Sequence, residues 1–244
     1  MINGKEVVIK RMENFPLLPP GELHVWRVST SITPVAFVEF ESALTEKELA
    51  KVPFFKFKQV KDSYVISQGS LRRLLSEYLG IPANLVKIGR RRKGKPYSID
   101  DPGLYFNMSN SGKFVVIAFS RDGEVGIDIE KTRPLHDLDE MIAKNFTSRE
   151  IRFITARPEE RISRFFRLWT VKESYLKAIG EGMRLQPDSL EFAIESDRVR
   201  QLSVEGVFDQ EDWNFKEFSK SNDYVGTITY GQVNTVIKQM DFYT

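Results

Sequence analysis

The chain has 244 residues, which is enough for one large domain or for two of ordinary size. Its composition, 41% hydrophobic and 29% charged, is typical of a folded globular protein. The formal net charge of +2 argues against a dedicated nucleic-acid binder, whose domain is usually strongly basic. The sequence has no cysteine, no apolar run of about 18 residues, and no apolar segment of a secretion signal within residues 1–15. We therefore expect a cytoplasmic protein without disulfide bonds or membrane contact.

The first third of the chain predicts two short strands and two helices. Residues 23–28 and 35–40 are rich in β-branched and aromatic side chains, which favour strands. Thr45 has a glutamate three positions later, which is the capping box that begins a helix. Residues 67–79 predict an amphipathic helix with its leucines inward, and Gly80 is a typical residue to end it.

Two stretches of the first half are basic. Residues 51–61 interleave four lysines with three phenylalanines, a pattern that fits either a solvated lysine face over core phenylalanines or a surface that binds anions. Residues 90–95, Arg-Arg-Arg-Lys-Gly-Lys, form the densest positive run. Such a run is usually a solvated loop and less often a nucleic-acid contact. Both interpretations of each stretch stay open on composition alone.

The middle of the chain predicts a pair of strands. Residues 114–119 are apolar and predict a buried strand, and the Asp-Gly pair at 122–123 predicts a tight turn into a second strand at 125–130. This arrangement favours a hairpin whose second strand is centrally placed. Residues 135–142 fit a connecting loop and a short surface helix, and Thr147 begins a helix with another capping box.

The second of these strands carries acids on one face. In the sequence G-I-D-I-E at residues 126–130, isoleucines alternate with Asp128 and Glu130. Both carboxylates therefore leave the same face of the strand, roughly 7 Å apart. Taken alone, these acids fit the solvated side of an edge strand equally well.

Residues 160–179 predict one long helix that ends at Gly180. At about 100° per residue, Glu173 lies within about 40° of Phe166 and Trp169, in the apolar stripe, so we expect it to be buried. Leucine, valine and tyrosine side chains form a second apolar side, which predicts a central position for the helix. The strands of an antiparallel sheet are predicted beyond it, at residues 189–194, 199–204, 213–218, 224–230 and 233–240.

Three acids on two elements suggest a metal site. A carboxylate in an apolar stripe is costly unless it is neutralised, paired or bound to a metal. Oxygen ligands favour a hard cation, Mg²⁺ first, and two histidines without cysteine give poor means for a zinc or copper site. Mg²⁺ usually completes its shell with substrate phosphates, which predicts a substrate with a pyrophosphate. The alternative is that Glu173 and Lys177, four residues apart, form an ordinary surface salt bridge.

The G-I-D-I-E motif and W-T-V-K-E-S-Y-L-K at residues 169–177 together resemble the paired signature of phosphopantetheinyl transferases, of the long, surfactin-synthetase-activating type. The resemblance implies transfer of the 4′-phosphopantetheine arm of coenzyme A to a serine of an apo acyl or peptidyl carrier protein, with release of adenosine 3′,5′-bisphosphate. It implies that Asp128, Glu130 and Glu173 hold Mg²⁺ and that Lys177 meets a phosphate. The serine would lose its proton to Glu173 or to a metal-bound water, so that Glu173 and Lys177 are the expected catalytic residues.

The resemblance also implies residues that bind coenzyme A. Lysines within residues 51–56 stand where the family holds the 3′-phosphate, and Gly-Lys-Pro at 94–96 resembles an element that meets the adenine and a phosphate. F-N-M-S-N-S at residues 106–111 resembles a motif whose histidine contacts the phosphates, but Asn110 stands in the place of that histidine. An amide can donate a hydrogen bond but carries no charge. The implied coenzyme-binding residues are Lys51, Lys56, Lys95, Pro96, Ser109, Asn110, Asp128 and Lys177.

The family is built as two similar halves, which implies an α+β fold with a pseudo-twofold axis and, in each half, an antiparallel sheet packed on a long helix. By this resemblance, residues 1–122 hold the adenine and the 3′-phosphate, and residues 123–244 hold the metal site and face the carrier protein. The resemblance also implies that residues 132–146 border the surface on which the carrier docks, which is the alternative to a connecting loop and short surface helix there. Two fused halves make a monomer the simplest expectation. The alternative function is a non-catalytic module that binds coenzyme A or carrier proteins, because the histidine is missing. Nucleic-acid binding through residues 90–95 is expected less.

Overall fold

The computed structural model describes residues 14–182, 185–195, 198–204, 213–218, 223–231 and 235–242. Residues 1–13, which belong to the amino-terminal segment considered above, lie outside the described residues, as do residues 233–234 of the last predicted strand. No helix within the described ranges is long and apolar enough to cross a lipid bilayer.

Helices and strands are mixed along the chain, as expected of an α+β fold. The helices are α1 (Pro34–Ser42), α2 (Glu46–Leu49), α3 (Lys58–Leu79), α4 (Leu138–Asn145), α5 (Ser148–Thr155) and α6 (Arg161–Ile179). The strands are β1 (Glu22–Ser29), β2 (Ile88–Arg90), β3 (Pro96–Ser98), β4 (Tyr105–Ser111), β5 (Phe114–Ser120), β6 (Val125–Lys131), β7 (Leu190–Glu195), β8 (Arg198–Val204), β9 (Asn214–Phe218), β10 (Tyr224–Tyr230) and β11 (Val236–Phe242). Single 3₁₀ turns lie at Val52–Phe54, Ala83–Leu85, Pro158–Glu160 and Pro187–Ser189.

The described strands form two main sheets and two hairpins. The first sheet has the order β11-β1-β5-β4 and the second has the order β6-β10-β9, while β2 pairs with β3 and β7 with β8. β1 and β11 run parallel, so the expectation of purely antiparallel sheets is wrong for the first sheet. β11 follows β10 of the second sheet in the chain but pairs with β1 of the first sheet. Because no hairpin turn connects β11 to β1, the two strands are not constrained to be antiparallel.

Two long helices cover the outer faces of the two sheets. Leu74 of α3 and Ile117 of β5 belong to one core, between α3 and the first sheet. Val116, the next residue towards the start of β5, faces the other way and shares a second core with Ile127 of β6. The sheets therefore pack on each other, and α6 contacts β6 and β10 on the far side. This order of layers puts β6 between the first sheet and α6.

Residues 35–40 form part of helix α1, so the prediction of a strand there is wrong. Thr33 caps the helix, because its Oγ1 accepts a hydrogen bond from the Ala36 N–H at 3.2 Å, and Pro34 occupies the first turn. Phe40 is fully buried and packs against the backbone at Gly69 of α3. The cap and this contact outweigh the strand preference of the β-branched residues.

The predicted hairpin between β5 and β6 is also wrong. Both edges of β5 are occupied, by β1 on one side and β4 on the other, so β6 pairs with β10 instead. The chain thus uses the tight turn near Gly123 to pass from the first sheet to the second. β6 is consequently the edge strand of the second sheet. It is nevertheless covered on both faces, by the first sheet and by α6.

The two long helices end as the sequence predicts. α3 starts earlier than predicted, at Lys58, and ends where Gly80 adopts a left-handed conformation with φ 68°. α6 ends at Gly180 in the same way, with φ 72°. Both glycines use a region that disfavours side chains with a Cβ atom.

A glycine lets β6 approach α6 closely. A Cβ atom added at Gly126 would lie 1.9 Å from the Ser174 carbonyl oxygen and 2.5 Å from the Ala178 nitrogen. Hydrogen bonds from α6 to β10 hold the same interface, between Thr170 and Thr227 Oγ1 atoms at 3.0 Å and between Ser174 Oγ and Thr229 Oγ1 at 2.7 Å. Because the collision is with backbone atoms, only a shift of the helix could relieve it.

We expect Gly126→Ala to lower the free energy of unfolding by about 1–3 kcal/mol, as for other overpacked positions. Thermal and urea unfolding measure this change. The matched control is Gly103→Ala, where an added Cβ would make only an ordinary contact, 3.4 Å from Asp101 Oδ1. Equal stability of the two variants would contradict the close approach of β6 and α6.

Candidate functional site

Polar side chains of β4 join it to β6, where no backbone ladder pairs the two strands. Asn107 Oδ1 accepts a hydrogen bond from the Ile127 N–H at 3.1 Å. Ser111 Oγ donates to Glu130 Oε2 at 2.8 Å and accepts from the Lys131 N–H at 3.0 Å. We call this line of contacts, together with that of Ser109 described next, the β4–β6 seam. It brings the F-N-M-S-N-S and G-I-D-I-E motifs side by side.

Asp128 is the most buried acid of the seam, with 4% of its surface exposed. Its Oδ1 accepts hydrogen bonds from Ser109 Oγ at 2.8 Å and from Lys177 Nζ at 2.7 Å. Lys177 Nζ also donates to Ser109 Oγ at 3.0 Å and to the Ile127 carbonyl at 3.2 Å. Lys177 therefore forms its ion pair across the fold with Asp128, so the alternative of a surface salt bridge with Glu173 is wrong.

The carboxylates of β6 and α6 interact electrostatically. Burial raises the pKa of Glu173 above its ordinary value, and the negative charges of Asp128 and Glu130 add to this effect, while Lys177 opposes it. Burial likewise raises the pKa of Glu130, which its hydrogen bond from Ser111 partly offsets. Glu173 is half-buried, whereas its neighbours Lys172 and Ser174 are buried, so the prediction of a buried Glu173 holds only in part.

The carboxylate oxygens at the seam suit a hard divalent cation as ligands. The three carboxylates do not, however, converge on a single point in this structure. Asp128 Oδ2 is buried, and no described group donates a hydrogen bond to it. Such an orphaned carboxylate oxygen is an acceptor that a cation could satisfy. Within the described ranges, no group of three or more His, Cys, Asp or Glu side chains is close enough to hold a metal ion. The three carboxylates fit Mg²⁺ in chemistry, and their side chains would have to move closer together to bind it.

A basic cleft of about 520 Å³ lies next to the seam. Its cationic lining residues are Lys51, Arg72, Arg90, Lys93, Lys95 and Lys177. Its apolar lining residues include Leu71, Ile88, Phe106, Met108 and Leu176. Pro96 also lines it, so that the Gly-Lys-Pro element and Lys177 share one cavity. A cavity with this balance of charge and apolar surface is suited to a large, partly apolar polyanion.

Lys95 is held by protein groups on all sides. Its Nζ donates to the Ala178 carbonyl at 2.6 Å and to the Val125 carbonyl at 3.2 Å, and it pairs with Glu124 Oε2 at 2.5 Å. Burial lowers the pKa of Lys95, and Glu124 opposes that effect. These contacts use the three N–H groups of the ammonium, so Lys95 ties the cleft to the start of β6 and the end of α6.

Other cleft cations also have internal partners. Arg72 Nε donates to Glu48 Oε2 at 2.6 Å, and its Nη1 donates to the Val86 carbonyl at 2.9 Å. Lys93 forms an ion pair with Glu181. The sequence did not reveal Arg72 as a cleft residue, because it lies within a helix that was predicted only from its inward-facing leucines. The spacing of Gln68, Leu71 and Arg72 on one side of α3 was the available signal.

The remaining predicted residues lie near the cleft rim. Lys51 lines the cleft, whereas Lys56 is exposed and is not among its lining residues. Asn110 is exposed and donates from Nδ2 to Ser63 Oγ of α3 at 3.3 Å. Phe54 and Phe57 are exposed, so the alternative of core phenylalanines beneath a lysine face is wrong for these two.

A buried ion pair inside the α6 motif was not predicted. Lys172 is buried, and its Nζ pairs with Glu150 Oε2 at 2.6 Å. The same Nζ donates to the carbonyl oxygens of Asn145 at 3.0 Å, Pro187 at 2.7 Å and Leu190 at 2.9 Å. This lysine therefore fixes α6 to the segments around it. The signal was present, because Lys172 lies beside Val171 and Tyr175, on the predicted second apolar side of the helix.

Two family models match successive parts of the chain. A family model of the 4′-phosphopantetheinyl transferase superfamily matches residues 124–229. A model of the N-terminal part of 4′-phosphopantetheinyl transferases matches residues 30–122. The 4′-phosphopantetheinyl transferase HetI of Nostoc sp. is 34% identical over 166 residues, which are 66% of this chain and 70% of HetI.

The chain belongs to the 4′-phosphopantetheinyl transferase superfamily. The superfamily includes Sfp of Bacillus subtilis, which is 32% identical over 168 residues, 68% of this chain and 72% of Sfp. The human L-aminoadipate-semialdehyde dehydrogenase-phosphopantetheinyl transferase is 28% identical over 195 residues. That match spans 72% of this chain but only 63% of the human protein. The resemblance seen in the two motifs is thus confirmed at the level of the superfamily.

We expect Glu173→Gln to raise the melting temperature of this transferase-family protein near neutral pH in buffer with EDTA. The raised pKa of Glu173 means that its proton favours the folded state. This contribution is complete at about pH 4 and is lost as the pH rises through the raised folded-state pKa. The difference between variant and parent should therefore be absent at about pH 4 and grow towards about pH 8.

The control for this experiment is Glu159→Gln, at an exposed glutamate of the turn before α6. Thermal unfolding should give the same melting temperature for this control and the parent at each pH. If Glu173→Gln is instead less stable than the parent near neutral pH, the ionised carboxylate has a stabilising partner and the sign of the shift is wrong.

Proposed function

We propose that the protein transfers the 4′-phosphopantetheine arm of coenzyme A to a serine of an apo acyl or peptidyl carrier protein. The reaction requires Mg²⁺ and releases adenosine 3′,5′-bisphosphate. The observation that carries this proposal is the position of Lys177, which lines the basic cleft and also binds the buried carboxylate of Asp128. Membership of the superfamily supports the same chemistry.

The cleft supports the binding of coenzyme A. The nucleotide carries several negative charges, which match the cationic lining, and Lys51 at the rim is the proposed partner of the 3′-phosphate. Pro96 and the neighbouring backbone would contact the adenine. Lys56 could reach the same phosphate only by movement of its exposed side chain. The three N–H groups of the Lys95 ammonium already have acceptors. Lys95 would therefore act chiefly by holding the start of β6 and the end of α6 in place at the cleft.

Asp128, Glu130 and Glu173 are the proposed ligands of Mg²⁺. The orphaned Oδ2 of Asp128 and the raised pKa values of the two glutamates support this assignment, since a bound cation would satisfy the first and favour ionisation of the others. When bound, the metal neutralises charge on the transferring and leaving oxygens of the phosphoryl group.

The side chains of the chain itself then have distinct tasks. Lys177 binds a phosphate oxygen as a point charge, and Asp128 orients that ammonium through the 2.7 Å ion pair. Ser109 holds both groups in place. Glu173 is the proposed acceptor of the proton of the serine hydroxyl, as a carboxylate that the bound metal would keep ionised. Asn110 replaces the charge of the family histidine by a neutral hydrogen-bond donor at the cleft rim.

The proposal includes an architecture of two similar halves about a pseudo-twofold axis, with the boundary at residues 122 and 123. The packing of α3 on the first sheet and of α6 against the second supports it. β11, from the second half, completes the sheet of the first half. A monomer in the cytoplasm is the simplest form of such an enzyme.

The direct test incubates the protein with coenzyme A, Mg²⁺ and an apo acyl carrier protein, and then weighs the carrier by mass spectrometry. The expected result is a carrier heavier by one phosphopantetheine arm, with adenosine 3′,5′-bisphosphate released in equal amount. A protein that binds coenzyme A but never modifies any apo carrier would support the alternative of a non-catalytic binding module, which the replacement of histidine by Asn110 favours.

We expect Asp128→Asn, Glu130→Gln and Glu173→Gln each to reduce transfer at least about a hundredfold, because each removes charge that holds the metal. A second measurement is independent of activity: Mg²⁺ should raise the melting temperature of the parent and not that of the variants. The exposed control Glu159→Gln should keep both properties. Normal turnover by any of the three variants would contradict the assignment of that ligand.

We expect Lys177→Met to lower the rate of transfer at least about tenfold, which corresponds to about 1.4 kcal/mol. The variant loses both the phosphate contact and the partner of Asp128. Lys177→Arg, which keeps the charge, should retain more activity than Lys177→Met. The control is Lys87→Met at an exposed lysine, and steady-state kinetics with coenzyme A and carrier measures all three variants. A Lys177→Met variant as fast as the parent would remove Lys177 from the mechanism.

A further inference from the structure

Two large aromatic side chains project into solvent beside the cleft. Phe54 is 84% exposed and Phe57 is 71% exposed, and Val60, which is 48% exposed, is the third residue of α3. Exposed apolar side chains that are scattered singly need no explanation, but a group of them on one surface marks an interaction site. We call the surface of residues 51–61 the phenylalanine–lysine patch.

The backbone of the patch is held in place, because the residues between the exposed side chains make contacts with the rest of the fold. Val52 is buried in the core of the first sheet. The Phe55 ring packs on Tyr64, with ring centroids 4.9 Å apart. The Phe57 carbonyl accepts a hydrogen bond from the Lys61 N–H at 3.1 Å, which begins α3. The fold therefore directs Phe54 and Phe57 outward, while their neighbours hold the segment.

The charge of the patch has one sign. Residues 51–61 contain four lysines and no acid. Lys51, Lys56 and Lys58 are exposed, and Lys58 forms an ion pair with Asp62, just beyond the patch. Such a surface is complementary to a partner with acidic groups around an apolar centre, and this complementarity speeds and orients association.

Contacts along the chain connect the patch to the reacting groups. Lys51 belongs to the patch and lines the cleft. Ser63, three residues after Val60 on α3, accepts the hydrogen bond from Asn110. The residue before Asn110 is Ser109, which binds Asp128. The patch therefore borders the cleft on the side of the β4–β6 seam.

We propose that the phenylalanine–lysine patch is a docking surface for the carrier protein, through an acidic face of the carrier with an apolar centre. The inference rests on the proposed function, and it assigns part of the carrier contact to the N-terminal half. The acceptor serine must reach the seam while the coenzyme occupies the cleft, and a carrier held at this rim satisfies both conditions. Burial of Phe54 and Phe57 at the centre, within a polar rim, is the usual arrangement of a protein interface.

The test compares Phe54→Ser/Phe57→Ser with the parent, using coenzyme A and an acidic apo acyl carrier protein. The expected result is a rise of about tenfold in the KM for the carrier, equivalent to about 1.4 kcal/mol. The kcat and the KM for coenzyme A should change less than about twofold. The matched control is Val35→Ser/Val38→Ser on α1, where the valines are 71% and 62% exposed. Circular dichroism and thermal unfolding check that each variant is folded.

Binding of the carrier is measured in parallel by titration calorimetry, which separates this inference from the proposed function. A parent that binds the carrier through the two phenylalanines but never modifies it would contradict only the proposed function. Equal carrier binding by the phenylalanine variant and the valine control would overturn the docking surface. The docking surface would also be overturned if the parent binds phosphatidylglycerol vesicles, the phenylalanine variant does not, and both bind the carrier equally. The patch would then bind a membrane.

Discussion

The buried carboxylate of Asp128 is the constraint on which the site depends. One of its oxygens is bound by Ser109 from β4 and by Lys177 from α6, so a single group connects three elements of the fold. Removing one member of a buried charge pair commonly costs about 3–5 kcal/mol, because the other charge stays buried without compensation. The second oxygen has no described hydrogen-bond donor. The same residue thus stabilises the junction of the elements and keeps an acceptor available for a ligand.

The β4–β6 seam explains why the two motifs need alternating polar residues. A backbone ladder would satisfy strand edges without regard to side chains, whereas this junction uses Asn107, Ser109 and Ser111, which share one face of β4. Each of these side chains bonds a different point of β6. The opposite face of β4 carries Phe106, which packs under α3. The alternation of side chains along the strand therefore places the polar residues of the seam on one face and a core residue on the other. Changing the register by one residue would exchange the two faces.

Local patterns predicted the elements that carry the acids. The alternation of Ile127 and Ile129 with acids located β6, and the two apolar sides of α6 predicted its central position. Long-range pairing was not predictable in the same way. The turn near Gly123 is real, but the partners of β5 are decided by β1 and β4, which the turn does not encode. The helix at residues 34–42 likewise depends on contact between Phe40 and Gly69, which strand propensities do not contain.

Site residues were predicted where the pattern lies within one helix or strand. Contacts between residues of two different elements were not predicted. Lys177 was expected near a phosphate, but its partner Asp128 lies 49 residues away and competes successfully with the local pairing to Glu173. All three of its N–H groups have acceptors, of which the Ile127 carbonyl and Ser109 are neutral. All of these bonds are already charge-assisted by the ammonium, but an anionic phosphate oxygen adds a coulombic attraction that a carbonyl or hydroxyl oxygen lacks, so it would displace a neutral acceptor and leave the pair with Asp128 intact. Lys177 and Arg133, which lies 3.8 Å from Glu130, would then face a phosphate and three carboxylates, and this deficit of positive charge is what a divalent cation would supply.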